Sequence, residues 1–501
     1  MHSIIEHGMN GIPIDVECHI SNGLPNIIIV GFANKAVDEA RERIRSAFAN
    51  STLNMPKKRI TINLAPADVP KDGTSFDLAI AAAILIASGQ IPDNSLDRSM
   101  TFGELGLDGS VRPVRGVIGK LLSGRKHGIS RFIIPSGNVA QASLIPGLQL
   151  LPVSSINQLY LHLSDASPLS WIESGSQSNN EVQAHPYDFK EVIGQRRAKR
   201  ALEIAAAGGH NVLMNGPPGT GKSMLAKATP SILPAMQLDE TLEITHLHSL
   251  ADRQFERIVH ERPFRSPHHT ASQTSILGGG SHPRPGEISL SHHGVLFFDE
   301  LPEFNRSTLE ALRQPLEDKV ITVARAKDNM TFPANFILIA TCNPCPCGYY
   351  GSSKPCTCLP HQIIRYQQKL SGPILDRIDL YIDVEEVQHD RLLENAQEEQ
   401  SEAIRKRVEA ARARQHERYQ SSLKTNAVMS NADVKKHAHL SKESAALLNQ
   451  AAEKLGISAR AYMRLIKVAR TIADIEGDQQ IGSAHISEAL QYRRPANPIT
   501  P

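Results

Sequence analysis

Over residues 1 to about 165, short β-rich runs alternate with longer helical stretches. "NIIIVGF", "RITINLAP", "RFIIP" and "LQLLPV" read as strands, and "NKAVDEARERIRSAFANS" and "DLAIAAAILIAS" read as helices. The pattern predicts a mixed α/β domain over 1–165. Around 166–185 the periodicity fades into "SDASPLSWIESGSQSNNEVQA", whose Ser, Asn and Gly content reads as a linker. A second α/β pattern fills 186–395. From 396 the chain turns helical: "QSEAIRKRVEAARARQHERYQ" is a charged helix, and "SKESAALLNQAAEKLGISARAYMRLIKVARTIADIEG" carries apolar residues at i, i+3 and i+4, which predicts a small helical bundle over 396–501.

Three apolar runs in the second domain end in polar residues suited to one chemistry. "HNVLMNGPPGTGKSMLAKA" is a strand, a glycine-rich loop and a helix start. Gly216, Pro217, Pro218, Gly219, Thr220 and Gly221 form the loop, whose backbone N–H groups can curl around phosphates. Lys222 reaches the β- and γ-phosphates, and Ser223 offers a hydroxyl to Mg²⁺ at the positive end of the helix. "GVLFFDELPEF" is a buried strand that emerges at Asp299, suited to the Mg²⁺ shell, and Glu300, suited to polarise an attacking water. "ANFILIATCN" ends in Asn343, where parallel strands present groups to a ligand crevice. Between Asp299 and the strand that ends in Asn343, "KVITVARA" and the turn "KDN" predict a β-hairpin with Arg325 and Lys327 near its tip, where they would contact nucleic-acid phosphates.

Composition narrows the setting without naming a partner. Lys+Arg 54 against Asp+Glu 52 gives a net charge of +2, so any nucleic-acid contact must come from local patches. No run approaches the roughly 18 apolar residues of a membrane span, and the N-terminus lacks a secretory pattern. A cytoplasmic chain with reduced thiols is expected, so a dense cysteine cluster points to metal rather than disulfides. Five of the six cysteines stand between 342 and 358. Cys345, Cys347, Cys356 and Cys358 offer four thiolates on two short knuckles, enough for a tetrahedral Zn²⁺. Cys342 and Cys345 also fit one knuckle, which leaves the fourth ligand open. Two histidine pairs, at 268–269 and 292–293, lie in a long polar excursion and read as loop residues or metal ligands.

With these motifs in order, followed by "SGPILDRIDLYIDV" and "ISARAYMRLIKVARTIADIEG", the chain resembles the magnesium-chelatase-like branch of the AAA+ ATPases, and in particular the ComM/YifB family. The resemblance implies an α/β multidomain protein: an N-terminal Lon-like (S5-type) domain, a central AAA+ P-loop parallel sheet and a C-terminal helical lid. It implies ATP and Mg²⁺ as cofactors, a homo-hexamer, Arg377 as an arginine finger and Arg460 as a second sensor. It further implies a motor for single-stranded and branched DNA, acting in branch migration during natural transformation, with recombination proteins as further candidate partners. "VPKDGTSFDLAIAAAIL" and "GELGLDGSVRPVRGVIGKLLSGRKHGISRFIIP" resemble the Lon proteolytic domain, with Ser75 at the nucleophile position and Lys120 at that of the base. Phe76 and Asp77 depart from that pattern, and a scaffold role is expected. A chelatase-type or protein-remodelling ATPase and a Ser-Lys protease are the alternatives.

Overall fold

The computed structural model describes residues 1–493 apart from 32–34, 52, 72, 94, 97, 176–184, 252–253, 281–282, 325–328, 371 and 388–397. Two compact units emerge: Met1–Glu181 with Leu238–His260, and Val182–Gln237 with Glu261–Pro501.

The first unit is built on an eight-stranded sheet. Its strands are β1 (His2–His7), β2 (Asn10–Ser21), β3 (Asn26–Val30), β4 (Arg59–Ala65), β5 (Ser99–Thr101), β6 (Arg131–Pro135), β7 (Gln149–Val153) and β8 (Ile172–Glu173), in the spatial order β8-β7-β6-β5-β1-β2-β4-β3. Alternation along the strands divides the apolar side chains between two layers. Ile5, Ile14, Ile62 and Leu151 join the core of helices Ala40–Asn50, Asp77–Ala87 and Ile156–Leu163, whereas Ile4, Phe132, Ile134 and Leu150 pack with helix Val117–Lys126. The strand β8 falls inside the expected linker. Trp171 and Leu169 pack against the core there, and Ile172 pairs with Leu150, so the Ser-rich composition conceals an ordered edge strand. Residues 176–184 of the linker lie outside the described residues.

Leu238–His260 also belongs to this unit, although it stands in sequence between the glycine-rich loop and Asp299. Helix Leu238–Ala251 meets helix Val117–Lys126 where a glycine permits close approach: a Cβ on Gly119 would lie 2.5 Å from His246 Nε2. Gln141 Nε2 donates to the carbonyls of Phe255 (2.8 Å) and Arg257 (3.0 Å), tying down the end of the segment.

His246 is buried, and burial pulls its pKa from 6.5 to about 4, with the Lys120 charge acting in the same direction. Between pH 6.5 and about 4 the unfolded chain binds a proton that the folded chain refuses. The stabilisation is complete above pH 6.5 and is lost as pH falls through this window, a change worth about 3 kcal/mol. We expect the urea midpoint of this unit, read by fluorescence of the single tryptophan Trp171, to fall on acidification from pH 7.5 to 4. His246→Leu should lessen the slope; an unchanged slope in the variant contradicts the assignment.

The second unit carries an all-parallel five-stranded sheet. In chain order the strands are β9 (Val212–Asn215), β10 (Phe264–Arg265) and β11 (Val295–Phe298), then the hairpin β12 (Val320–Ala324) and β13 (Asn329–Pro333), then β14 (Ile337–Cys342) and β15 (Leu380–Asp383). The sheet runs β10-β11-β14-β9-β15. Helix Ser401–Tyr419 turns Ile404, Val408 and Ala411 into the same core as helix Arg196–Gly208, and helices Lys442–Leu455, Ala459–Glu476 and Ser483–Gln491 complete the helical part. The expected hairpin is present, with Ile321 opposite Phe332 and Ala324 opposite Asn329; its tip residues Arg325 and Lys327 lie outside the described residues. Among the described residues no helix is long and apolar enough to cross a membrane.

Candidate nucleotide site

Strand order brings the three motifs together. β14 lies between β9 and β11, so Asn343, the glycine-rich loop and Asp299 all emerge at the carboxyl edge of neighbouring parallel strands. Strands stand about 4.8 Å apart, which places the loop roughly 10 Å from the Asp299 strand, within reach of side chains.

In the loop Gly219 and Gly221 take φ of +81° and +86°, and helix Lys222–Ala228 begins at once. Lys222 is buried, and its Nζ donates to the carbonyls of Gly216 and Pro217 at 2.7 Å each and lies 3.5 Å from Asn343 Oδ1. Burial lowers its pKa, opposed by nearby Asp299 and Glu300. Ser223 Oγ donates to Asp299 Oδ2 at 3.2 Å, which unites the hydroxyl and carboxylate that a Mg²⁺ shell needs. Asp299 and Glu300 are exposed at this edge. Glu300 has φ +53°, a left-handed conformation uncommon outside glycine.

Thr341 holds that turn and was not singled out from the sequence. Its Oγ1 donates to Asp299 Oδ1 at 2.6 Å and accepts from the Glu300 N–H at 2.9 Å. The only signal was a hydroxyl two residues before Asn343 in an otherwise apolar strand.

Arg377 and Arg460 stand elsewhere. The Arg377 carbonyl accepts from Asn211 Nδ2 at 3.0 Å, and Asn211 precedes β9, whereas the phosphate loop follows it. Four strand residues separate the two ends by about 13 Å. Both guanidinium groups pair with one carboxylate: Arg377 with Glu317, and Arg460 with Glu317 at 2.7 Å. They line a cavity of about 640 Å³ with Lys319, Arg464 and Lys467.

The cysteine loop follows β14 directly. Sγ of Cys345 lies 3.3 Å from Cys347 and 3.7 Å from Cys356, and Cys347 lies 3.5 Å from Cys356. Cys358 completes the group, all four sulfurs lying within 4.8 Å of one another. A tetrahedron with Zn–S of 2.3 Å has sulfurs about 3.8 Å apart, so the set fits a four-thiolate ion. Cys342 is outside it: its thiol is buried in β14, 3.5 Å from Asn215 Oδ1, and burial pushes its pKa up to about 12. Within the histidine pairs, His268 Nδ1 bonds Thr270 Oγ1 at 2.7 Å, and His292 Nδ1 accepts from the Asn335 N–H at 2.9 Å.

In the first unit, Ser75 and Lys120 form no hydrogen bond among the described contacts. Ser75 precedes helix Asp77–Ala87 on one face of the sheet, and Lys120 belongs to helix Val117–Lys126 on the other. Lys120 Nζ donates to the Arg115 carbonyl at 2.7 Å and lies 3.9 Å from Glu6. Asp77, which departs from the Lon pattern, accepts from Arg43 Nε at 2.7 Å and Nη2 at 3.0 Å, and from the Leu105 N–H at 3.2 Å.

Comparison with known proteins agrees with this architecture. Family models match in three consecutive stretches: "Subunit ChlI of Mg-chelatase" over 16–138, "Magnesium chelatase, subunit ChlI" over 188–392 and "Magnesium chelatase, subunit ChlI C-terminal" over 398–493. The chain is 43% identical to the uncharacterized protein YifB of Escherichia coli strain K12, over 98% of this chain and 96% of that protein. It is 42% identical to the competence protein ComM of Haemophilus influenzae, over 98% of this chain and 97% of that one. The chain belongs to the ComM/YifB family of magnesium-chelatase-like AAA+ proteins. Membership implies ATPase activity. A partial similarity, 31% over 147 residues, relates 27% of the chain to 18% of the Lon protease of Rhizobium meliloti.

Proposed function

We propose that this protein is a cytoplasmic, ring-forming, ATP-driven DNA motor that migrates branched DNA and so promotes integration of single strands by homologous recombination. The observation that carries the reading is the convergence of Lys222, Ser223, Asp299 and Asn343 at one end of the sheet, with Arg377 and Arg460 at the other. ATP binds the loop, Ser223 and Asp299 hold Mg²⁺, Glu300 polarises the attacking water, and Asn343 contacts it or the γ-phosphate. Because Arg377 and Arg460 lie away from their own loop, the reading assigns them to a neighbour's nucleotide, which requires a closed head-to-tail assembly such as a hexamer. Arg325 and Lys327 on the hairpin supply phosphate contacts in the ring's pore. Cys345, Cys347, Cys356 and Cys358 hold a structural Zn²⁺. The likeness to the Haemophilus competence protein supports a role in taking up and recombining DNA, with recombination proteins as partners.

Migration of a synthetic branched DNA with ATP, comparing the wild type with Glu300→Gln, tests the motor. Movement should occur and be lost in the variant. ATP hydrolysis without any DNA movement or binding would favour the second reading, a chelatase-type or protein-remodelling ATPase, which the three chelatase models support. A Ser-Lys protease is disfavoured by the engagement of Lys120 with Arg115 and Glu6.

A further inference from the structure

Residues 343–348 form a strap whose two ends both touch the phosphate loop. At one end Asn343 Oδ1 lies 3.5 Å from Lys222 Nζ. At the other, Gly348 lies so close to Pro218 that an added Cβ would come 2.7 Å from both its Cδ and Cγ, and Gly348 takes φ of +86°. Between the ends stand Cys345 and Cys347. Cys345 is fully buried; its carbonyl accepts from the Gly348 N–H at 3.0 Å and its sulfur from the Tyr350 N–H at 3.4 Å. The other two thiols, Cys356 and Cys358, return from the far side of the loop.

Apart from short turns and the Lys354–Tyr349 contact, this loop has no regular structure to hold its shape. Between β14, ending at Cys342, and the helix that begins at Pro360, the chain contains no helix or strand. Its residues include Pro346, Gly348, Gly351, Ser352, Ser353, Lys354 and Pro355, which supply no apolar core. Gln367 Nε2 anchors the start on the Pro344 carbonyl at 3.1 Å, and Ser353 Oγ anchors the middle on Glu386 at 2.6 Å. In a segment of this kind an ion bound by four thiolates supplies the ordering free energy that packing does not.

We propose that a Zn²⁺ held by Cys345, Cys347, Cys356 and Cys358 clamps the ATP site, fixing the strap so that Asn343 and Gly348 hold the phosphate loop in its nucleotide-binding shape. The inference rests on the four-thiolate zinc reading and adds to it a coupling: zinc occupancy sets nucleotide affinity. The ion takes no part in ATP hydrolysis; it acts through the strap. Gly348 is the positioning residue at the contact, since any side chain there meets Pro218.

The test uses the full-length chain purified under reducing conditions. Zinc content is measured by elemental analysis, and binding of a fluorescent ATP analogue is titrated for the chain as purified, after zinc removal by a chelator, and after zinc is restored. One zinc per chain is expected, with affinity falling about tenfold or more on removal and returning with zinc but not with added Mg²⁺. Gly348→Ala should keep its zinc yet bind the analogue about tenfold more weakly, which separates the clamp from unfolding of the loop. If the reduced chain holds no zinc and takes up none, the metal reading itself fails. If zinc is present but the stripped chain and Gly348→Ala both bind with unchanged affinity, the site is a zinc site and the clamp is overturned.

Discussion

Arg377→Ala is expected to lower ATP turnover by about a thousandfold or more, the usual worth of an arginine that stabilises charge on the transferring phosphoryl group. Lys222→Ala should be equally inactive for a different reason, since it removes the cation that the proposed function assigns to the β- and γ-phosphates. The informative experiment is to mix the two inactive variants. In a ring with sites between neighbours, a chain with an intact phosphate loop is adjacent to one with an intact arginine in about a quarter of the interfaces of an equal mixture, ½ × ½. Mixing should therefore restore roughly a quarter of wild-type turnover. An arginine serving its own chain's nucleotide would restore nothing. The geometry favours the first outcome, because Arg377 and Arg460 share Glu317 at the end of the sheet where β9 begins, and the phosphate loop lies where β9 ends. Burial and both guanidinium groups act on Glu317; the arginines prevail and hold its pKa below the usual range, so the carboxylate stays charged at neutral pH.

Arg43→Ala should destabilise the first unit by about 3–5 kcal/mol, a large share of a domain's stability. Arg43 is mostly buried and Asp77 almost completely so, at 18% and 1% side-chain exposure. Removing the guanidinium leaves a buried carboxylate at the start of helix Asp77–Ala87 with the Leu105 N–H as its remaining hydrogen-bond partner among the described residues. Replacing both at once, Arg43→Met with Asp77→Leu, should recover most of the loss, because the desolvation of both charges is removed together. Urea unfolding followed through Trp171 measures each variant. A single variant within about 0.5 kcal/mol of wild type would mean that the pair is solvated and contributes little. The pair joins helices Ala40–Asn50 and Asp77–Ala87.

The convergence at the candidate nucleotide site was legible because its motifs are local. A strand, a loop and a helix start are contiguous in "VLMNGPPGTGKS", and Asp299 and Asn343 each close an apolar run, so only the strand order remained to be found. The cysteines were nearly as legible: Cys345, Cys347, Cys356 and Cys358 converge, while Cys342 stands apart in β14 beside Asn215. What escaped notice depends on tertiary proximity. Thr341 matters through two bonds to a neighbouring strand, and a lone hydroxyl gives no periodic signal. Glu317 is one acid among many until two arginines 83 residues apart, Arg377 and Arg460, are brought to it. β8 is two residues long and sits in linker-like composition, so its pairing could be seen only in the sheet.

The excursion Leu238–His260 bears on how the protein is made. The first unit cannot finish its core when residue 181 leaves the ribosome, because Leu242 and His246 are still to come. Until then the helix Val117–Lys126 presents an uncovered apolar flank, the kind of surface on which nascent chains associate wrongly or recruit chaperones. A fragment ending at 181 inherits the same defect permanently. Dissection of this protein into working pieces therefore calls for a graft that carries the Leu238–His260 segment along, rather than a cut at the apparent seam.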